Sequence, residues 1–460
     1  MNKRLYSFSS KFEWFLIFFI ILQPVIDLMT SFSIFIFHID LTFGVFIRFG
    51  VMFLILLYIL WVPLDKSKKK ILFYLFLFGF VLIIGLINNM LVKDPFHLFS
   101  ELRNIAKIAY VPIILFGYLI VIKKLKEQEN IQKTIQRNIF ISMNIVSLVM
   151  IIASITSTGI KSYESEKLGH QGWFFAGNEI GAIMAICFAV VVYYAVSNTK
   201  SWKTIYYWIP VCMLIFSQLA VGTKVGYGSV LIILVIALLI YLVERIRFRH
   251  DSVLAKKYSV NLVVNSGVLV LFLLLTPYTP VAHNMNIHLS WVGLDQQQAN
   301  LDNDNKTPES KKEIEKEREK AVENVLLSGR EHFLAQHKKY FAEAPLSQKL
   351  FGMGYGGNYQ KEGKTVEMDF FDIFFSIGII GFALYIAPFL YLAYKIVTYF
   401  FKNVKENFNH EVVLFGSAVI LGLGIAYTAG HVLTAPAVSI YLAVLIAYLY
   451  NALSKIVSYE

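Results

Sequence analysis

The sequence predicts an all-α integral membrane protein: a polytopic bundle of about 12 transmembrane helices with one large extracytoplasmic loop. Of its 460 residues, 57% are hydrophobic and only 16% are charged, whereas soluble domains carry about 25% charged residues. The mean hydropathy is +0.60. Apolar runs about as long as the 20 residues needed to cross a bilayer recur along the chain. Helices are expected because a spanning segment must satisfy its backbone polar groups internally.

The apolar runs locate the individual spans. We predict them at residues 14–37, 41–62, 71–92, 105–122, 138–157, 178–196, 204–220, 226–243, 259–277, 370–396, 411–429 and 432–450. Only Gly430 and His431 separate the last two, so a tight hairpin and a single interrupted element both fit there. The chain therefore divides into helices 1–9 (residues 1–277), a loop domain (278–368) and helices 10–12 (369–460).

Lysine and arginine are unevenly distributed between alternate loops, which predicts the orientation in the membrane. With the N-terminus in the cytoplasm, cytoplasmic segments hold 22 basic residues and the short outer segments hold 6. An even number of spans then places both termini in the cytoplasm and the loop domain outside the cell membrane. The net charge of +11 fits loops that face anionic lipid. It does not indicate nucleic-acid binding, because the basic stretches alternate with apolar spans.

Two local patterns stand out in the loop domain. The charged run from Pro308 to Leu327 predicts a solvated helix, which Thr307 can cap and in which opposite charges recur three residues apart. Gly352, Gly354, Gly356 and Gly357 form a glycine-rich stretch without the Gly-Lys-Ser/Thr of a Walker motif. We interpret this stretch as a tight loop in which glycine serves backbone geometry.

Ionisable residues at membrane depth are energetically expensive and are usually functional. Apart from Asp27 and Arg48, they fall at the predicted outer face, where loop residues join them. The members of this outer-face cluster are Arg103, Lys107, Asn178, Glu179, Lys224, Arg330, His332, His337, Lys338, Glu367, Asp369, Asp372 and His431. Such a cluster suits recognition of an anionic lipid-linked head group, such as a pyrophosphate. Cations there stabilise phosphates, and a carboxylate accepts the proton of an attacking hydroxyl.

Several of these residues also have a purely structural interpretation. The structural alternatives are snorkelling by Arg103 and Lys107, a pair between Glu179 and Lys224, stabilisation of a helix N-terminus by Asp372 and an intramembrane bridge between Asp27 and Arg48. The two cysteines, Cys187 and Cys212, lie within apolar runs and do not indicate a disulfide framework. No spacing of histidines matches a zinc motif, and no metal or cofactor is expected.

The sequence resembles the family of O-antigen ligases and Wzy-type polysaccharide polymerases of bacterial membranes. The resemblance covers most of the chain, in the layout of the spans and in the position of the long loop. The motifs that carry it are Trp173-Phe-Phe-Ala-Gly-Asn178-Glu179-Ile-Gly181, Thr223-Lys224-Val-Gly226, Ser328-Gly329-Arg330, Leu350-Phe-Gly352-Met-Gly354-Tyr-Gly356, Glu367-Met368-Asp369 and Gly378-Ile-Ile-Gly381. Many ligases of the family have His-Asn where this chain has Glu367-Met368, which is a departure from the pattern.

The resemblance implies a glycosyl-polymer transferase of cell-surface polysaccharide synthesis. It would move a glycan from an undecaprenyl-pyrophosphate carrier to an acceptor hydroxyl, either on another lipid-linked glycan (polymerase) or on a different molecule (ligase). The implied catalytic residues are Glu367 as general base and Asp369, which raises the pKa of Glu367 while nearby cations lower it. The implied substrate-binding residues are Arg330, Lys224, Arg103, Lys107, Asn178 and His332, the first three holding the pyrophosphate.

Two other functions fit the sequence. A transporter or flippase of lipid-linked sugars would use charges near the bilayer midplane, as Asp27 and Arg48 provide. A non-catalytic membrane scaffold would bind a partner through the charged helix at 308–327. The scaffold predicts that the outer-face charges can be replaced without loss of function.

Overall fold

The computed structural model describes residues 3–38, 42–62, 66–125, 130–164, 166–292, 318–319, 321–322, 324–325, 327–360 and 362–457. The chain is 82% helical and has no strands in this described part. Twelve of the helices are long and apolar enough to cross a membrane. The all-helical fold class and the number of spans are thereby confirmed. Most of the charged helix predicted at 308–327 lies outside the described residues.

The helices follow one another along the chain. Their bounds are α1 Lys3–Phe35, α2 Phe43–Trp61, α3 Lys66–Val92, α4 Leu98–Leu125, α5 Ile131–Ile155, α6 Gly177–Asn198, α7 Ile209–Val221, α8 Lys224–Arg247, α9 Ser252–Leu275, α10 Pro280–Val292, α11 Arg330–Glu343, α12 Leu346–Phe351, α13 Asp369–Lys402, α14 Val404–Asn407, α15 His410–Thr428 and α16 Pro436–Val457. A 3₁₀ turn at Trp202–Trp208 extends α7 to membrane-spanning length. The spans are α1 to α9, α13, α15 and α16.

Helix α6 lies at the centre of the bundle and packs against α5, α7, α8, α15 and α16. In its most apolar stretch 89% of the residues are buried, against 22% in α3 and in α9. The sequence explains this position, because Ala182, Ala185 and Ala189 are small and let neighbouring backbones approach from several sides. Helices α3 and α9, which are rich in large apolar side chains, lie at the periphery of the bundle.

The connection between α15 and α16 settles the arrangement of the last two spans. They are separate helices, joined by an irregular crossing from Ala429 to Ala435. Asp369, in the first turn of α13, accepts hydrogen bonds from the backbone N–H groups of Val432 and Leu433 at 2.8 and 2.7 Å. It also accepts one from the hydroxyl of Thr434 at 2.5 Å. One buried carboxylate therefore holds this crossing in place.

The glycine-rich stretch fills a break in α13. At Gly378 the helix leaves helical geometry, with φ 68° and ψ −172°. The backbone N–H groups of Met353 and Gly354 donate to the carbonyls of Phe375 and Ser376, at 2.8 and 3.1 Å. A side chain at Gly352, whose φ is +93°, would overlap Ser376. The stretch thus supplies donors to carbonyls that the break would orphan, and its interpretation as a tight loop set by backbone geometry is confirmed.

A buried ion pair fixes the same stretch to the bundle. The Lys93 ammonium donates to a Glu101 oxygen at 2.6 Å and to the Tyr355 carbonyl at 2.6 Å. The second Glu101 oxygen accepts from the Tyr355 N–H at 2.9 Å. Burial lowers the pKa of Lys93, and Glu101 acts against that change. The pair closes the gap between α3, α4 and the glycine-rich stretch.

Candidate functional site

Two polar cavities lie at the end of the bundle where the segment 278–368 joins it. The larger has a volume of 330 Å³ and is bordered by the starts of α6 and α8, by α10, by Arg330 and by His431. The smaller has a volume of 120 Å³ and is bordered by α1, α2, α4 and the starts of α6 and α16. The first turn of α6 separates them, because Asn178 lines the larger cavity and Glu179 the smaller.

The larger cavity is lined by basic groups, namely Lys167, Lys224, His288, Arg330 and His431. Two helices, α6 and α8, begin at its wall, and the hydroxyl of Thr223 caps α8 by accepting from the Gly226 N–H at 3.1 Å. Helix N-termini carry a partial positive charge and free N–H groups. The cavity is therefore suited to an anion.

Lys224 and His288 form the inner wall of this cavity. The Lys224 ammonium donates to His288 Nδ1 at 2.9 Å and also contacts the Val325 carbonyl. His288 Nε2 lies 3.3 Å from Asn324 Oδ1. Burial and the charge of Lys224 lower the pKa of His288, so the ring is neutral and its Nδ1 can accept. This arrangement orients the Lys224 charge at the cavity wall.

Arg330 reaches the cavity from the start of α11. Its Nη1 donates to the Leu327 carbonyl at 3.2 Å, and its Nη2 lies 3.5 Å from a Glu367 oxygen. Its Nε is buried and has no hydrogen-bond partner in the described part of the chain. A guanidinium offers five N–H donors, so Arg330 retains donors that a bound anion would satisfy.

Glu367 lies 3.9 Å from His431, which lines the larger cavity. Both have left-handed backbone conformations, with φ of 61° and 58°. Such conformations cost non-glycine residues about 1–3 kcal/mol each and cluster at functional sites. Gly430 allows the close approach, since a Cβ there would lie 2.5 Å from the Glu367 carbonyl oxygen. The fold thus stores strain to bring a carboxylate and an imidazole together.

The charges around this pair favour an ionised carboxylate beside a protonated imidazole. The neighbouring His431 lowers the pKa of Glu367 against the effect of burial, and Arg330 and Lys364 lower it further. Burial alone would lower the pKa of His431, but Glu367 and Asp369 outweigh it and the pKa is raised. Of the two opposing effects expected at Glu367, a second carboxylate that raises the pKa and cations that lower it, the cations prevail.

Asn178 completes the rim of the larger cavity. Its side-chain amide lies 3.5 Å from His431 Nε2. A protonated His431 donates from that nitrogen. The Asn178 amide therefore presents its oxygen to His431 as the acceptor. Asn178 is therefore placed to orient the imidazole.

The structure brings only part of the predicted site together. Arg330, Lys224 and Asn178 line the larger cavity, with Glu367 within 3.5 Å of Arg330. Arg103 and Lys107 instead line the smaller cavity. The prediction that Arg103 joins Arg330 and Lys224 in one group is wrong, because the first turn of α6 lies between them.

Two further site predictions lead away from the cavities. His332 is exposed on α11 and lines neither cavity. Asp369 is 1% exposed, and its carboxylate is engaged by the residues that follow His431. Its observed contacts are those of a residue that positions the 431–434 crossing.

The structural alternatives have mixed outcomes. The bridge between Asp27 and Arg48 is confirmed, at 2.7 Å, and Arg48 also donates to Gln23 at 2.9 Å. The pair between Glu179 and Lys224 is wrong, since these side chains line different cavities. Asp372 accepts from the backbone N–H groups just before α13, those of Val366 and Met368, and so stabilises the start of that helix.

Sequence reasoning missed three groups at the larger cavity. It placed His431 at this face without a role, and it gave no role to Lys167 or His288. Each is a single residue in a connection or a short helix, with no periodicity or motif to mark it. Among the described residues, no group of three or more His, Cys, Asp and Glu side chains is placed to hold a metal ion.

The fold and these cavities define a polytopic integral membrane protein whose polar site lies at one end of a helical bundle. The chain belongs to the family of O-antigen ligase-like membrane proteins, which matches residues 9–456. This membership indicates a glycan-transferring enzyme, a membrane glycan ligase or polymerase. Among curated proteins, none matches the sequence.

Proposed function

We propose that the protein is a glycosyl-polymer transferase that moves a glycan from an undecaprenyl-pyrophosphate carrier to an acceptor hydroxyl. The observation that carries this proposal is the position of Glu367, a carboxylate at the rim of a cation-lined cavity, between Arg330 and His431. Glycosyl transfer from a pyrophosphate donor needs a base for the acceptor hydroxyl and, beside it, a site that stabilises the leaving pyrophosphate. The lipid carrier would remain in the surrounding membrane.

The larger cavity would hold the pyrophosphate of the donor. Arg330 would bind it through its free Nε–H and its outer N–H groups, and Lys224 through its ammonium. The N-terminus of α8 would add its partial positive charge. These charges matter most as the bond to the sugar breaks, because negative charge then develops on the leaving pyrophosphate.

Glu367 would act as the general base. As the acceptor oxygen forms its bond to the anomeric carbon of the donor sugar, the hydroxyl proton passes to a Glu367 oxygen. The bond from that carbon to the phosphate oxygen breaks, and its electron pair leaves with the pyrophosphate. Protonated His431 would hold the Glu367 carboxylate in place and offset the charge on the leaving group.

The location of the site follows the orientation inferred from the basic loops. Both termini would be cytoplasmic, and the segment 278–368 and both cavities would lie at the extracytoplasmic face of the cell membrane. The reaction would therefore use lipid-linked glycans on the outer leaflet. This arrangement supports assembly of surface polysaccharide, such as capsule or cell-wall polymer. Besides the two glycan substrates, membrane lipid would be a partner of the protein.

The Glu367→Gln variant tests the proposal, because it keeps the size of the side chain and removes the base. In cells, we expect loss of long polymer and accumulation of lipid-linked units on the outer leaflet, with normal membrane levels of the protein. Glu343→Gln, an exposed carboxylate on α11, is the matched control and should leave polymer unchanged. Lipid-linked units trapped on the inner leaflet would indicate a flippase, and unchanged polymer would favour the scaffold.

A further inference from the structure

We propose that the smaller cavity binds the pyrophosphate of a second lipid-linked glycan, the acceptor, so that the enzyme is a polymerase. This inference rests on the proposed function, since it assigns the acceptor of the same reaction. Its starting point is that the structure has two cation-lined cavities at one end of the bundle, where the sequence suggested a single cluster.

The smaller cavity has more cations than carboxylates in its wall, namely Arg48, Arg103 and Lys107 against Asp27 and Glu179. Arg48 is paired with Asp27 at 2.7 Å, so that Glu179 is the other carboxylate of the cavity wall that faces Arg103 and Lys107. The charge of Asp369 also acts on Lys107. In the described part of the chain, neither Arg103 nor Lys107 has an ion-pair or hydrogen-bond partner for its side chain. Arg103 is exposed and Lys107 is half-buried, so the side chains of both remain available to an anionic ligand in the cavity.

The backbone around this cavity also favours an anion. Helices α2, α6 and α16 all begin at its wall, through Gly44, Ala176 and Pro436. Each of these helices has at least 19 residues, long enough for the partial positive charge of an N-terminus to develop. Three helix ends, Arg103 and Lys107 therefore converge on one space of 120 Å³.

The chemistry of chain growth assigns the two cavities. The donor carbon is bonded directly to its pyrophosphate, so the donor pyrophosphate must lie beside the base, as the cavity next to Glu367 allows. The acceptor hydroxyl belongs to a sugar unit, and its own pyrophosphate lies at the other end of that unit. A second anion site, displaced from Glu367 by one helix, fits such an acceptor. A ligase whose acceptor carries no phosphate needs no second anion site.

The two cavities share a wall, which fixes the position of one substrate relative to the other. On α6, the adjacent residues Asn178 and Glu179 face opposite cavities. His431, in the crossing before α16, lines the larger cavity, and Pro436, the first residue of α16, lines the smaller. Both walls are anchored by the buried core of α6 and α16. The distance between the two pyrophosphates is thus set by rigid elements, as oriented transfer requires.

Binding stoichiometry tests the inference. The full-length protein in nanodiscs of phosphatidylcholine would be titrated with undecaprenyl pyrophosphate, with bound lipid counted by native mass spectrometry. We expect two lipids on the wild type and one on the double variant R103Q/K107Q, with affinity at the second site reduced at least about tenfold. K107R keeps the charge and should retain two. K339Q, at an exposed lysine on α11, is the control and should also retain two.

The outcomes separate this inference from the proposed function. If the wild type binds one lipid, and this lipid is lost in R330Q/K224Q but kept in R103Q/K107Q, the second site is refuted. The proposed transferase function is then unaffected. If neither the wild type nor any variant binds the lipid, both proposals are refuted. Displacement of the second lipid by phosphatidylglycerol at equal concentration would assign the smaller cavity to a phospholipid head group, and the acceptor site would then be refuted.

Discussion

Asp369 offers the clearest separation of a positioning role from a catalytic one. Its carboxylate is 1% exposed and accepts three hydrogen bonds, from the N–H groups of Val432 and Leu433 and from the hydroxyl of Thr434. Replacement by alanine would leave two buried N–H groups without an acceptor. Each such group costs about 1–3 kcal/mol, so Asp369→Ala should destabilise the protein by about 2–6 kcal/mol.

Asparagine should be far milder at this position. Its remaining oxygen can accept both backbone N–H groups, and its amide can donate to the Thr434 hydroxyl, which then acts as an acceptor. The expected loss is that of charge assistance, about 1 kcal/mol. We therefore expect Asp369→Asn to keep most of the proposed transferase activity, because the crossing that carries His431 stays in place.

Thermal unfolding of the purified protein and polymer length in cells would be measured together for both variants. The positioning role predicts a graded series, with wild type and asparagine close together and alanine low in both measurements. An asparagine variant that unfolds like the wild type and yet lacks polymer, as expected of Glu367→Gln, would refute this reasoning and make Asp369 catalytic.

Three further predictions follow from the structure. Activity should depend on the ion pair between Glu367 and His431 and therefore have two pH limits. The pKa of Glu367 is lowered from 4.5, so the pair is lost when the pH falls through this lowered pKa. The pKa of His431 is raised from 6.5, so the pair is also lost when the pH rises through this raised pKa. A pH–rate profile measures both limits, and His431→Gln should remove the alkaline one. Gly352→Ala should abolish folding, judged by membrane levels, because the new side chain overlaps α13. Glu101→Gln should lower the free energy of unfolding by about 3–5 kcal/mol, since it leaves the buried Lys93 charge without its carboxylate partner. Thermal unfolding measures this loss.

Each of these predictions has a control and a contrary result. Gly267→Ala meets nothing within 4 Å and should leave membrane levels unchanged; equal loss in both glycine variants would contradict the packing argument. An alkaline limit that persists in His431→Gln would assign that limit to another group. The double variant K93M/E101L should be less destabilised than Glu101→Gln, and additive losses would show that the buried pair is not coupled.

The sequence alone determined the class of fold and the positions of the spans. Predicted spans such as 178–196 agree within a few residues with helices such as Gly177–Asn198, because lipid imposes both a length and an internal hydrogen-bonding pattern on every crossing. The glycine-rich stretch was also interpretable locally, since it lacks the lysine of a phosphate-binding loop. These features depend on residues close together in the chain.

Only the tertiary structure decided how the polar residues group. Asn178 and Glu179 are neighbours in sequence and line different cavities, while Glu367 and His431 are brought within 3.9 Å by a crossing that Asp369 holds. Sequence reasoning placed Arg103 with Arg330 because both lie at one membrane face. A face is a surface on which many clusters fit, and the packing of α6 between them decides which charges share a space.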